Sequence, residues 1–110
     1  MRSAFAHDAV LQLEDGGDDR APGGAITVAL CGSWDHDPPC PLAPHHTAVT
    51  RSGSEVVLRL LFATAPENEA RVRSLVEEAL AQGEGWRLVR AEASEVRPDE
   101  RDHAERLLAN

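Results

Sequence analysis

Apolar residues recur along this chain at two spacings, and each change of spacing marks an element. From Ala9 to Glu14 they alternate, with Leu11 and Leu13 on one side and Val10 and Gln12 on the other, which predicts a short strand. Residues 1–8 show no such run and are expected to be frayed. From Ala25 to Cys31, Ile26, Val28 and Leu30 alternate with Thr27, Ala29 and Cys31, which predicts a second strand with its larger face toward helices. From Ser54 to Ala63 the third strand sets Val56, Leu58, Leu60 and Phe62 on one face. Val57 and Leu61 flank Arg59 on the other.

The period then lengthens. Val72, Leu75, Val76, Ala79 and Leu80 form one helical stripe. Thr64-Ala65-Pro66-Glu67 has the T-x-x-E pattern of a capping box with Pro in the first turn, and Gly83 stands where a C-cap belongs. Glu67/Arg71 and Glu69/Arg73 are i,i+4 pairs, so the charges of this helix are expected to form a solvated face. Alternation returns over Trp86–Ala93, with Trp86 and Leu88 on one face and Val89, Ala91 and Ala93 on the other. Pro98 opens a short C-terminal helix that carries Ala104, Leu107 and Leu108.

These elements predict a single α+β domain over residues 1–110, with an antiparallel or mixed sheet of about four strands. Two helices would cover one face, leaving the other as a surface for a second copy. A long Cys/His/Pro-rich loop, residues 32–53, would join the second and third strands, although His46 to Thr50 has the pattern of a short strand inside it. In outline the domain resembles the ferredoxin-like group. Its strand and helix order departs from βαββαβ, so no property of that group carries over. Asp15, Asp18 and Asp19 lie in a Gly-, Pro- and Asp-rich stretch without calcium-loop spacing, and read as a solvated turn.

Charge narrows the classes of partner. The net charge is −8, and the eleven basic residues, all Arg, form no stripe, which disfavours nucleic acid and anionic membrane. No apolar run approaches the roughly eighteen residues of a membrane span, and Met1 to Val10 lacks the apolar core of a signal peptide. The expected location is the cytoplasm, where two cysteines are free thiols, metal ligands or a redox pair rather than a disulfide framework.

The chemistry concentrates in Cys31-Gly-Ser-Trp-Asp-His-Asp-Pro-Pro-Cys-Pro-Leu-Ala-Pro44 and the two histidines after it. Cys31, His36, Cys40 and His45 are a thiolate–imidazole set of the type that holds tetrahedral zinc, with His46 as an alternative fourth ligand. A bound ion would offset the ordering entropy of a long loop, and the prolines would reduce that cost. In an extended chain His45 and His46 point opposite ways, which argues against both binding one ion. Three other readings remain open: a Cys31–Cys40 redox pair, an enzyme using a Cys–His pair or a metal-bound water, and a metal-free interaction domain. Trp34 and His46 are candidates for a surface offered to a protein partner, or Trp34 anchors the loop on the sheet. Trp86 is expected in the core, and His7 and His103 at the surface.

Overall fold

The computed structural model describes residues 1–31 and 43–109, with Cys31 described by its backbone. Its elements are β1 (Ser3–Leu13), α1 (Ala21–Cys31), β2 (His45–Ser52), β3 (Glu55–Thr64), α2 (Glu69–Ala81), β4 (Trp86–Ser94) and α3 (Arg101–Leu108). The strands form one sheet in the order β2-β3-β1-β4, and every neighbouring pair is antiparallel. The first six elements therefore follow the βαββαβ order of the ferredoxin-like arrangement, with α3 added.

The difference from the expected order comes from Ala21–Cys31, which is a helix and not a strand. In a strand Val28 would share a face with Ile26 and Leu30. It is 43% exposed, while Ile26 and Leu30 are buried. Pro22, Ile26 and Leu30, spaced i, i+4 and i+8, are the buried stripe. Because the intervening residues are small or apolar too, the alternation concealed the helical period. Pro22 in the first turn suits a helix start.

Recasting this segment moves the long connection. It now joins α1 to β2, and the link between β2 and β3 is a tight hairpin at Gly53–Ser54. Gly53 has φ 62° at the first turn position, as a type II′ turn requires. β1 is also longer than expected. Residues 3–8 are not frayed but pair with β3 and β4 in the centre of the sheet.

One face of the sheet presents Ala9, Leu11, Leu13, Val56, Leu58, Leu60, Phe62 and Trp86 to α1 and α2, which bury them with Ile26, Leu30, Val72, Val76 and Leu80. Trp86 is in the core as expected, and its Nε1–H donates to the Leu80 carbonyl at 2.8 Å. Gly83 serves this packing rather than capping: a Cβ there would stand 1.7 Å from the Trp86 ring, and the C-cap is Gln82. At the other end, Thr64 belongs to β3 and forms no capping box. A 3-10 turn at Pro66–Asn68 leads into α2 instead. A register shift opposite Val10/Leu11 leaves Val89 53% exposed and turns Ala91 onto the face of Leu88.

The helices do not all lie on one side. Among the described residues there are three α-helices, and α3 crosses to the opposite face, where Leu107 packs on Ala6, Leu61 and Ala63. Part of that face is thereby covered, while Val57 stays exposed.

Candidate functional site

The base of the 31–45 connection is formed by the end of α1 and the start of β2. Cys31 is the last residue of α1, and His45 is the first of β2. His45 turns toward α1. Its Nε2 lies 3.1 Å from Thr27 Oγ1, one helical turn before Cys31, and its Nδ1 lies 3.2 Å from the Ala43 carbonyl oxygen. A carbonyl only accepts, so the ring donates from Nδ1 in that bond. Thr27 Oγ1 is also within 3.2 Å of the Gly23 carbonyl.

His36, Cys40 and Trp34 lie outside the described residues. His46 points to the other side of the sheet, as strand alternation requires. Its ring centroid is 4.1 Å from that of His103 on α3. Partial desolvation there, then the neighbouring His103 and His45, hold the His46 pKa below the ordinary 6.5. His45 and His46 are thus separated by the sheet, and His103 packs against a second histidine.

Two ionic clusters escaped the sequence reading. The first centres on His7, which is 1% exposed rather than at the surface. Arg73 donates from Nη1 to His7 Nδ1 at 2.9 Å and to the Ala6 carbonyl at 2.6 Å. Its Nε donates to Glu69 at 2.8 Å, and the guanidinium sits 5.8 and 5.3 Å from the Phe5 and Phe62 centroids. Arg73 is therefore no solvated charge: it ties α2 to β1. Because Arg can only donate, His7 carries its proton on Nε2, 2.8 Å from Glu77 Oε2 though not aligned as a hydrogen bond. Burial, followed by Arg73, outweighs Glu77 and holds the His7 pKa below 6.5. The alternation signal was present, since His7 shares its parity with Phe5, Ala9, Leu11 and Leu13.

The second cluster centres on Arg59. It donates from Nε and Nη2 to Glu100 at 3.0 and 2.7 Å, from Nη1 to Asp8 and Ser94 at 2.9 and 2.7 Å, and from Nη2 to the Glu95 carbonyl at 2.7 Å. All five N–H groups are engaged. The pairing raises the Arg59 pKa and lowers that of Glu100 to about 2. Beside this clamp a groove of about 430 Å³ crosses the open part of the face, lined by Val10, Thr50, Val57, Arg90 and Arg97 among others. Arg59 is committed to the fold and has no N–H left for a ligand there.

No helix among the described residues is long and apolar enough to cross a membrane. Searches for similar proteins found no family model and no curated protein that matches the chain.

Proposed function

We propose that this chain is a small binding or accessory protein whose 31–45 connection is organised by a structural zinc ion on Cys31, His36, Cys40 and His45. Trp34 and His46 would lie on the surface that the tethered segment offers to a protein partner. One observation supports the reading above the others, the orientation of the His45 ring. Its Nδ1 lies against a backbone carbonyl, the usual outer partner of a metal-bound imidazole, and its Nε2 meets Thr27 one turn before Cys31, a contact that a bound ion would replace. Two of the four ligands thus come from the base of the connection, and the sequence supplies His36 and Cys40 between them. Four protein ligands leave no open position, which assigns the ion a structural task.

The test is elemental analysis of tag-free protein purified without added metal or chelator, with a thiol count on the same sample. One equivalent of zinc and protected thiols are expected. Cys40→Ser is expected to release the ion and to lower the melting temperature. Metal-free protein with two reactive thiols, or a Cys40→Ser variant with unchanged zinc and melting curve, refutes the proposal.

A further inference from the structure

The two edges of the sheet are built differently. β4 forms one edge and carries the devices that discourage pairing: a register shift at Val89 and the charges of Arg87, Arg90 and Glu92. β2 forms the other. It runs eight residues in unbroken register with β3, without proline.

The register shows which backbone groups face outward. Antiparallel pairs alternate between those that exchange both hydrogen bonds and those that exchange none. The hairpin closes at Ser52 and Glu55, and at the far end Ala63 N–H donates to the Pro44 carbonyl at 3.0 Å. The even-numbered residues from Pro44 to Ser52 therefore bond to β3. His45, Thr47, Val49 and Arg51 direct their N–H and C=O groups away from the sheet. Among the described residues, nothing pairs with these groups of Thr47, Val49 and Arg51.

Charge selects the occupant. The chain carries nineteen acidic residues, yet the elements along this edge, α1 and β2, contain none. Two copies of a molecule with net charge −8 repel one another, but α1 and β2 add no acid to this approach, and Asp18 and Asp19 beside it are paired with Arg20 and Arg51. The only fixed cation on the strand, Arg51, is held by the Gly53 carbonyl at 2.8 Å and lies 3.7 Å from Asp19, so the edge is not built to attract an acidic chain. The flank beside β2 is a groove of about 650 Å³ lined by the Asp18–Arg20 ion pair and by Gly23, Gly24, Thr27 and Thr47, residues small enough for the α1 helices of two copies to approach.

We propose that the outer edge of β2 pairs antiparallel with β2 of a second copy about a two-fold axis, joining two four-stranded sheets into one of eight. A two-fold perpendicular to the sheet keeps equivalent faces together, and a centre at Ala48 sets Thr47 against Val49 of the partner subunit. The outward-facing N–H and C=O groups then bond across the junction.

Sedimentation or light scattering over a concentration series tests this. The wild type is expected at twice its 11.9 kDa chain mass. Val49→Pro removes an outward N–H and spares the bonds to β3, so it is expected to fold and to run as a monomer. Val57→Glu, on the open face, is expected to remain a dimer. In hydrogen exchange, the amides of Thr47, Val49 and Arg51 are expected to gain protection as wild-type concentration rises, a readout that holds even where a proline variant misfolds. A monomeric wild type overturns the proposal. So does a dimer that survives Val49→Pro or is lost with Val57→Glu, and so do edge amides whose exchange ignores concentration.

Discussion

The two faces of the sheet are covered by forces of different kinds. Against α1 and α2 the sheet presents a continuous row of large apolar side chains, with Leu11, Ile26, Val56, Leu60, Phe62 and Val72 fully buried. To Leu107 of α3 it offers Ala6, Leu61 and Ala63, with Val96 beside them, and the guanidinium of Arg59 adds its bonds to Glu100 just before the helix. The apolar face gains free energy roughly in proportion to the area removed from water and is indifferent to geometry at the level of single bonds. The α3 face has a small apolar patch and leans on one side chain, which joins Glu100 before α3 to Asp8, Ser94 and the Glu95 carbonyl. The helix pair is therefore expected to behave as the cooperative core, and α3 as an attachment that can be released while that core stands.

The largest effect expected is on the apolar face. Phe62→Ala removes a ring that packs against Phe5 at 5.5 Å and lies beneath Arg73, and should cost about 3–5 kcal/mol in denaturant unfolding. A loss below about 1 kcal/mol would mean that this face is not the core.

Arg59→Met should cost less, roughly 2 kcal/mol, because it leaves Glu100 and Asp8 without their donor but with water nearby. Its character is the sharper test. Amides of α3 should lose exchange protection while those of α2 keep theirs. Equal loss in both helices would erase the distinction between the faces.

The smallest effects are in pH, and they fall in separate windows. Glu100 has a native pKa of about 2 against an ordinary 4.5, so its contribution is complete above about pH 4.5 and is lost as pH falls toward 2. His7 is a base held below its ordinary 6.5. The unfolded chain takes up that proton first, so the contribution of neutral His7 is present above pH 6.5 and declines as pH falls below it. Unfolding free energies measured from pH 8 to 3 should show both declines. His7→Leu should shrink the upper window to the part that His46 contributes, and Glu100→Gln should flatten the lower. Windows unchanged in these variants would place the titrating groups elsewhere.

Much of this architecture was legible in local pattern. β3, α2, the start of β4 and the buried Trp86 follow from periodicity, because each has one apolar face and one that is not. α1 was misread for the opposite reason: in a segment whose residues are nearly all apolar or small, a period of two and a period of 3.6 describe the same letters. The site was legible only as composition. The Cys and His residues announce possible chemistry, but the contact of His45 with Thr27 depends on α1 being a helix beside β2. His7, Arg59 and Arg73 were missed because their partners lie far away in sequence: Arg73 Nη1 meets His7 across 66 positions, and Arg59 meets Glu100 across 41.

By itself the sequence determined the α+β class, the strongest strand and longest helix, the acidic balance and the clustering of Cys and His between residues 31 and 46. These are properties of composition and of short-range period, which a chain carries before it folds. Tertiary structure alone decided that 21–31 is a helix, that α3 crosses to the second face, and that one buried histidine and two half-buried arginines act as fasteners. Each of those outcomes turns on what a segment packs against. A largely apolar segment takes the conformation that buries its stripe, and a charge leaves water only where distant residues have already assembled its partners.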